Sequence, residues 1–512
     1  MASSLIRGKY VVCKIFDRMR ADVIEDGAVF QENGQVVAVG SYAELSRRYR
    51  ADEVLGSPGH VVIPGFVNSH HHVGLTPLQL GSPDLPLELW FASRMAARDV
   101  DLYLDTLYSA FEMIESGITT VQHLHGRSPG PVERIHGAAR SVLRAYQDIG
   151  MRVSYSFVIR DQNRLVYDSD EAFVRRLPAS IAPEIADLLR QHAIPLEDNF
   201  YLFDALTDEL RGRDRVRIQL APGNLHWCSD RALDMVRSAC ERHRVPFHMH
   251  LVETQYQKEY ARRRTGSTAL GHLGRLGLLG PHCTLGHGVW LSESDIDLVA
   301  ETGTRICHNC SSNLRLRSGV AAVNEFERRG VQVAIGLDEA GINDDRDMLQ
   351  ELRLVLRIHR VPGMDDTVPT AQQVFRMATE YGAATTPYGD SIGTLEPGKA
   401  ADLCLLDWRR IAAPYLDEDV PVVDAIVQRA RSSGVESVLV AGEPILRDRK
   451  FTRVDKQAVL EELAASLDKS RSAEEMRRRE LSQLVFPHVK AFYDGYLPPS
   501  SSPPFYRTSA RE

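Results

Sequence analysis

Short apolar runs rich in β-branched residues alternate with longer amphipathic segments through the middle of this 512-residue chain. Strands that alternate with helices predict a parallel sheet, because each helix carries the chain back to the start of the next strand. Eight such units between residues 61 and 390 suit a closed (β/α)8 TIM-like barrel with insertions, an α/β fold. The eight predicted strands lie at residues 64–72, 117–121, 153–158, 216–220, 246–250, 284–287, 304–308 and 331–335.

The two ends of the chain predict a second unit made of short strands. Asn33-Gly34 separates two apolar runs, which is a strong signal for a tight hairpin. Strand character returns near residue 391, in residues 393–395, 398–406 and 435–440, and we expect these strands to pair with the N-terminal ones. The predicted domains are the N-terminal part of a small β-sandwich (1–60), the barrel (61–390), the C-terminal part of the sandwich (391–450) and a helical tail (451–512) with a proline-rich segment at 498–504.

Histidines and one acid cluster where predicted barrel strands end. Alternate residues of a strand share a face, so His70 and His72 point the same way and can bind one metal ion. His248 and His250 also share a face, and their spacing leaves open which one is a ligand. Asp338 ends the eighth strand, where the alternative interpretation is a helix N-cap. Barrel enzymes carry their catalytic groups at such strand ends, and an open site with three protein ligands is typical of catalytic zinc.

These motifs resemble those of a known superfamily. The chain is similar to the amidohydrolase superfamily in Pro64-Gly65, His70-x-His72, His250-x-x-Glu253, His287 and Asp338. More narrowly it resembles the cytosine deaminase-like branch, which includes guanine deaminase, S-adenosylhomocysteine deaminase and the atrazine chlorohydrolases. The likeness extends from Gly27 to about Gly442 and is especially close in residues 291–320 and 393–402.

The resemblance implies one divalent metal and a role for each site residue. The metal would be zinc, with iron or manganese as alternatives. Asp338 would accept the proton of the attacking water, His287 would orient that water, and Glu253 would protonate the substrate. The fourth strand, 216–220, contains no lysine, which favours one metal over the two of other branches. The implied ligands are His70, His72, His250 and Asp338.

The resemblance also implies a reaction. We expect a hydrolase of carbon–nitrogen bonds other than peptide bonds, which deaminates an amino-substituted purine, pyrimidine, pterin or triazine. The alternative on the same fold is a hydrolase that releases chloride or an alkylamine, or that opens a cyclic amide. A non-enzymatic metal-binding protein would lack at least one ligand or proton carrier, and all of them are present in this sequence.

Loops that follow the barrel strands supply the candidates for substrate contact, because such loops surround the pocket of a barrel enzyme. Glu339 stands where relatives often have glycine or another small residue, and it could meet a cationic or amine-bearing substrate. The alternative is a carboxylate turned away from the pocket. The candidates are Gln79, His123, Arg160, Trp227, His308 and Glu339.

Composition and charge exclude several kinds of partner. A formal net charge of −8 leaves no basic footprint for nucleic acid, and no apolar run is long enough to span a membrane. The N-terminus lacks the apolar segment of a signal peptide. Seven scattered cysteines, with Cys307 and Cys310 interpreted as core residues, are typical of a reduced, cytoplasmic protein. We therefore expect a small-molecule substrate, and the resemblance implies a homodimer.

Overall fold

The computed structural model describes residues 3–126, 130–364 and 366–499. The predicted proline-rich segment at 498–504 lies mostly outside these ranges. Within them, no helix is both long enough and apolar enough to cross a membrane. All seven cysteines are buried and free of disulfide bonds.

The elements begin with strands, alternate through the centre and end in helices. The strands are β1 (Ser3–Ile15), β2 (Ala21–Glu32), β3 (Gln35–Ser41), β4 (Glu53–Pro64), β5 (Phe66–His71), β6 (Ile118–His125), β7 (Arg152–Ile159), β8 (Val216–Ile218), β9 (Ala221–Pro222), β10 (Phe247–Leu251), β11 (Cys283–His287), β12 (Arg305–His308), β13 (Val333–Ile335), β14 (Leu403–Asp407), β15 (Val435–Val440), β16 (Glu443–Arg447) and β17 (Lys450–Phe451). The helices are α1 (Tyr42–Arg48), α2 (Leu87–Arg94), α3 (Leu102–Glu115), α4 (Val132–Ile149), α5 (Asp170–Val174), α6 (Ala182–Gln191), α7 (Leu196–Glu209), α8 (Asp230–His243), α9 (Gln255–Thr265), α10 (Ala269–Arg275), α11 (Glu293–Thr302), α12 (Cys310–Arg315), α13 (Val323–Arg328), α14 (Met348–Ile358), α15 (Ala371–Met377), α16 (Glu380–Ala384), α17 (Trp408–Ala412), α18 (Val422–Arg429), α19 (Lys456–Leu467) and α20 (Ala473–Tyr493).

One mixed sheet joins the two ends of the chain. Its strands lie in the order β17-β16-β15-β14-β4-β1-β2-β3. Strand β4 connects the two halves, because it pairs in parallel with β1 and antiparallel with β14, where Ile63 lies opposite Cys404. Strands from the two ends of the chain therefore pair with one another, as the sequence predicts.

The sequence predicts a hairpin turn at Asn33-Gly34 and strands at residues 393–395 and 398–402, and the structure confirms only the hairpin turn. Asn33 and Gly34 form the predicted hairpin turn between β2 and β3, with left-handed φ angles of 55° and 83°. The expected strand character of residues 393–395 and 398–402 is wrong, because Gly393 and Gly398 have φ angles of 93° and 90° and interrupt the extended backbone. Hydrogen bonds still hold this segment to the sheet, such as the one from Gly398 N–H to the Val36 carbonyl (2.8 Å).

The eight strands predicted for the centre of the chain are present at the predicted places. They are parallel and form two sheets, ordered β5-β6-β7-β8 and β10-β11-β12-β13, with the short β9 beside β7. Isolated parallel bridges link the outer strands of the two sheets, His71 with Asp338 and Leu220 with Phe247. The carboxyl ends of β5, β10, β11 and β13 are thereby brought close to one another.

Capping residues define where the connecting helices begin and end. The Asp101 side chain accepts hydrogen bonds from two backbone N–H groups at the start of α3, and the Ser229 hydroxyl accepts one at the start of α8. Gly150 and Gly303 end α4 and α11 in the left-handed conformation that favours glycine. These caps satisfy terminal backbone groups that would otherwise lack partners.

The C-terminal helix α20 packs on α2. Leu481 and Val485 from α20 join Ala92 from α2 in one buried apolar cluster, and the Ser482 hydroxyl donates to the Ala92 carbonyl (2.7 Å). The helical tail therefore supports a helix that belongs to the segment between β5 and β6.

Candidate metal centre and its cavity

Three imidazoles from the ends of β5 and β10 converge on one point. The Nε2 atoms of His70, His72 and His250 lie 3.0–3.1 Å from one another. Each hydrogen bond joins one donor to one acceptor, so three mutually close nitrogens are not all paired by hydrogen bonds. Nitrogens that bind one tetrahedral zinc ion at 2.0–2.1 Å stand about 3.3 Å apart. The donor set therefore fits a divalent metal.

The outer nitrogens of these imidazoles have partners of their own. His72 Nδ1 lies 2.7 Å from the Leu124 carbonyl oxygen, and His250 Nδ1 lies 2.8 Å from that of Gly223. Because a carbonyl only accepts, both Nδ1 atoms carry a proton, and in the neutral form of each imidazole the Nε2 atom keeps the lone pair that a metal needs. Burial, assisted by the neighbouring histidines, holds the pKa of His250 well below its usual value and favours the neutral ligand form.

His248 lies behind this cluster. Its Nε2 is 2.8 Å from His70 Nδ1, so it orients the His70 ring from the outer side. Gly286 provides the space, because a Cβ there would come within 3.0 Å of His70 Cε1 and 3.2 Å of His248 Nε2. Burial lowers the pKa of His248 to about 3, which keeps this imidazole neutral. The structure thus distinguishes His248 from His250, which spacing alone leaves equivalent.

Asp338 closes the cluster from the end of β13. Its Oδ1 lies 3.2 Å from His72 Nε2 and 3.5 Å from His70 Nε2. Its Oδ2 accepts a hydrogen bond from the Ser312 hydroxyl (2.5 Å). Burial opposes ionisation, but the protonated form of His72 outweighs burial through its hydrogen bond and charge and lowers the pKa of Asp338. The group is therefore a carboxylate, able to bind a metal or to accept a proton.

Left-handed backbone at three strand ends directs the side chains of this site. The φ angle is 50° at Val252, 72° at His287 and 54° at Asp338. Few residues other than glycine adopt this region, and a β-branched residue there is an outlier. The turn at Asp338 is held by a hydrogen bond from its N–H to the His70 carbonyl (2.7 Å). Such strain concentrates at functional sites, where surrounding contacts maintain it.

Glu253 and His287 face Asp338 across the cavity. His287 Nε2 lies 3.7 Å from Glu253 Oε2 and 3.9 Å from Asp338 Oδ2. His287 Nδ1 donates to Asn313 Oδ1 (2.8 Å), which fixes the ring and leaves Nε2 directed at the two carboxyl groups. Burial raises the pKa of Glu253 to about 7. This carboxyl group can therefore hold or release a proton near neutral pH.

A cleft lined by aromatic, aliphatic and polar side chains opens onto these groups. One wall is aromatic, and the rings of Phe91 and Trp227 meet edge to face with centroids 5.2 Å apart. Two arginines lie over tryptophan rings, Arg94 over Trp90 (4.7 Å) and Arg160 over Trp227 (3.6 Å). Flat apolar faces beside a polar centre suit a planar small molecule that carries heteroatoms.

The cleft contains most, but not all, of the residues that the sequence singles out. Three predicted substrate contacts are absent from its lining within the described ranges. Gln79 is exposed and hydrogen-bonds to neighbouring side chains and backbone, whereas His123 and His308 are buried and pair with Tyr146 and His359. The predicted residues that line the cleft are His72, Arg160, Trp227, His250, Glu253, His287, Asp338 and Glu339.

Helix α2 supplies lining residues that the sequence argument does not single out. Leu87, Trp90, Phe91 and Arg94 all contribute to the wall. A signal for them was present, because residues 87–91 place two aromatic rings in the segment after the first barrel strand, and such segments face the pocket. A short helix inserted into a loop leaves no trace in the strand pattern, which is why the sequence does not predict α2.

Comparisons with known proteins agree with the branch that the motifs predict. Residues 61–445 match the model of the amidohydrolase family. A 5-methylthioadenosine/S-adenosylhomocysteine deaminase from Syntrophobacter fumaroxidans is 30% identical over 442 residues, which are 85% of this chain and 92% of that protein. A 5'-deoxyadenosine deaminase from Methanothermobacter thermautotrophicus is 29% identical over 443 residues, 86% of this chain and 93% of that protein. A solved structure of an adenosine deaminase from Xanthomonas campestris with bound zinc has a TM-score of 0.76 and 26% identity, and the match covers 93% of this chain and 98% of that chain.

Proposed function

Because the chain belongs to the amidohydrolase family, we propose that it hydrolytically deaminates an amino-substituted nitrogen heterocycle and releases ammonia. One observation carries this proposal. Three converging imidazole nitrogens and the Asp338 carboxylate lie opposite a buried glutamate, Glu253, at the base of an aromatic cleft. The deaminase names of the relatives support the reaction type.

The metal would be held by His70, His72, His250 and Asp338. When bound, a divalent metal supplies a water that is nucleophilic near neutral pH. We propose zinc for this chain, because imidazole and carboxylate ligands suit it, although iron and manganese accept the same ligands. Residues 219–223 at the end of the fourth strand contain no lysine, which favours a single metal.

The two carboxyl groups divide the proton transfers between them. Asp338 Oδ2, held by Ser312, accepts the proton of the attacking water. Glu253 Oε2 delivers a proton to a ring nitrogen or to the departing amine, for which a pKa of about 7 is well suited. His287 Nε2 lies between them and orients the water. A carbon–oxygen bond forms, the carbon–nitrogen bond breaks and ammonia leaves.

Arg160 and Trp227 form one face of the substrate site in this proposal. The Trp227 ring presents an apolar surface against which a planar heterocycle can stack, and Arg160 covers the ring from one side. Glu339 contributes a carboxylate to the same site. Gln79, His123 and His308 have no such role in this proposal, because none of them is among the residues that line the cleft.

The proposal extends to the architecture and the assembly. The two parallel sheets would close into a (β/α)8 barrel, supported by the bridges between β5 and the residue after β13 and between the residue after β8 and β10. The eight-stranded sheet would fold as a β-sandwich beside it, with domain limits near residues 60, 390 and 450. A homodimer and a cytoplasmic location remain predictions from the sequence.

An ammonia-release screen tests the function. Zinc-loaded protein is offered aminated purines and their nucleosides, pyrimidines, pterins and triazines, and Asp338→Asn protein serves as the matched control. We expect ammonia from at least one class with the unmodified chain and background release with the variant. Release of chloride or alkylamine without ammonia would replace the deaminase with the alternative hydrolase.

A further inference from the structure

Glu339 has one oxygen that is paired and one that is not. Its side chain is 12% exposed and lines the cleft directly after Asp338. Oε1 accepts a hydrogen bond from Arg94 Nη1 at 2.5 Å. Oε2 is buried and has no hydrogen-bond partner among the residues that the structure describes. A buried carboxylate oxygen without a donor carries a desolvation penalty that a bound donor would remove.

Contacts on both sides hold Glu339 in this orientation. Arg94 comes from the last turn of α2 and lies over the Trp90 ring, 4.7 Å from its centroid. The backbone carbonyl of Glu339 accepts a second hydrogen bond, from Arg346 Nη2 (3.0 Å). Arg94 and Arg346 thus fix the residue at two points, so Oε2 has a defined position in the wall of the cleft that Glu339 lines.

The charge balance of this pair favours a neutral donor as the partner of Oε2. The guanidinium of Arg94 already compensates the charge of Glu339, so no further cation is needed at this wall. An N–H or O–H group of a bound molecule would satisfy Oε2. A methyl group or a chlorine at the same place would leave the oxygen buried without a donor, which costs binding free energy.

We infer that Glu339 determines substrate specificity by accepting a hydrogen bond from a second donor on the heterocycle. The substrate then carries an amino or hydroxyl group besides the amino group that leaves. Arg94 is a positioning residue, which directs the free oxygen into the cleft. This inference rests on the proposed deaminase function, and it excludes substrates whose remaining substituents are only alkyl groups or halogens.

Pairs of compounds with the same shape test the inference. One pair is 2,6-diaminopurine and 2-methyladenine, and another is melamine and its analogue with two methyl groups in place of two amino groups. Equilibrium binding to the zinc-loaded protein is measured by calorimetry, and ammonia release is measured in parallel. The unmodified protein should prefer the amino member of at least one pair by about 10- to 100-fold, the effect of one hydrogen bond to a charged group.

The Glu339→Gln variant should abolish that preference. Arg94 would hold the amide oxygen, so the amide NH2 would point into the cleft and meet the donor of the substrate with another donor. Glu209→Gln, which alters a carboxylate paired with Arg140 on the surface, is the matched control and should keep the preference. Metal content measured in each variant shows that the ligand cluster is intact.

The outcomes separate this inference from the proposed function. Equal binding of both members of every pair by the unmodified protein, or an unchanged preference in Glu339→Gln, would overturn the inference. A second outcome is that no compound releases ammonia, while the binding preference is observed and is lost in Glu339→Gln. That result would overturn the deaminase reaction but would still support the role of Glu339.

Discussion

Glu253 and Asp338 are buried carboxyl groups in the same cleft, and their surroundings move their pKa values in opposite directions. Burial raises the pKa of Glu253 to about 7. Asp338 is equally buried, but the hydrogen bond and charge of the protonated form of His72 outweigh burial and lower the pKa of Asp338. Two carboxyl groups with separated pKa values can act as acid and base in one reaction. This difference supports Glu253 as the proton donor and Asp338 as the proton acceptor of the proposed reaction.

Replacement of Glu253 by glutamine tests its assignment as the proton donor. Glutamine keeps the size of the side chain and the hydrogen bond with Ser318 but has no proton to deliver. We expect kcat/KM for ammonia release to fall by about 100- to 10,000-fold, the usual contribution of general acid–base catalysis. Zinc content should stay unchanged, since Glu253 is not among the proposed ligands. A variant with the activity of the unmodified protein would remove Glu253 from the mechanism.

At the residue scale, side-chain alternation along a strand predicts which histidines share a face. His70 and His72 share a face because they are two residues apart where β5 ends, and the structure brings their Nε2 atoms to 3.0 Å from each other. Alternation also puts His248 and His250 on one face, so it leaves the choice between them open. The depth of each side chain relative to neighbouring strands decides that choice, and it depends on long-range packing, including the space beside Gly286.

At the scale of elements, α14 holds the segment that supports Asp338. Glu351 on α14 accepts hydrogen bonds from the backbone N–H of Ser311 (3.0 Å) and from its hydroxyl, at the start of α12. The next residue, Ser312, donates to Asp338. Burial raises the pKa of Glu351 to about 7, so a group outside the reaction also titrates near neutral pH.

The stability of the protein should therefore depend on pH through Glu351. Between pH 4.5 and 7 the folded chain keeps the Glu351 proton that the unfolded chain releases, so the free energy of unfolding falls as pH rises and levels off above about 7. Glu351→Gln lacks this dependence. The free energy of unfolding of the variant, relative to that of the unmodified chain, should therefore rise by on the order of 3 kcal/mol between pH 4.5 and pH 8. Urea unfolding of zinc-loaded protein measures this change. A difference that stays constant with pH would contradict this role for burial.

Elements with regular hydrophobic patterns could be predicted, and those inserted into loops could not. The parallel strands of the centre are short runs of buried β-branched residues, and all eight occur where the pattern placed them. Helix α2 has no such pattern, because its two faces contact the cleft and α20 rather than solvent. Only the tertiary structure shows that Trp90 and Arg94 of this helix line the cleft.

At the scale of the molecule, the C-terminal helix supports the wall of the cleft. Leu481 on α20 is buried in the apolar cluster that includes Ala92 of α2, whereas Leu484 on the same helix is 42% exposed. The α2 residues Trp90 and Arg94 line the cleft on the opposite side of that helix. Stability of the tail and binding of the substrate should therefore be coupled.

Leu481→Ala tests this coupling, and Leu484→Ala is the matched control. We expect Leu481→Ala to lower the free energy of unfolding by about 2–5 kcal/mol, the range for a buried leucine, and to raise KM because α2 loses support. Leu484→Ala should change stability by at most about 0.5 kcal/mol. Urea unfolding and steady-state kinetics measure both effects. A raised KM in both variants alike, or in neither, would argue against support of α2 by α20.

The pairing of the two chain ends in one sheet was predictable as a strand pattern but not as a register. Apolar runs at both ends indicate strands, and β4 joins them by pairing with β1 and β14. Positive φ angles at Gly393 and Gly398 interrupt the extended chain there, and nothing local distinguishes those glycines from glycines within strands. The register of these strands and the interruptions between them depend on pairing with distant parts of the chain, which local propensity does not reveal.

The central claim is that one divalent metal, held by His70, His72, His250 and Asp338, enables hydrolytic deamination. The most direct test titrates metal-free protein with zinc while bound zinc and ammonia release are followed together, with the best substrate of the screen. We predict that the rate rises in proportion to bound zinc and stops at one zinc per chain. The full rate in verified metal-free protein, or a rate that continues to rise up to two zinc ions per chain, would contradict the account.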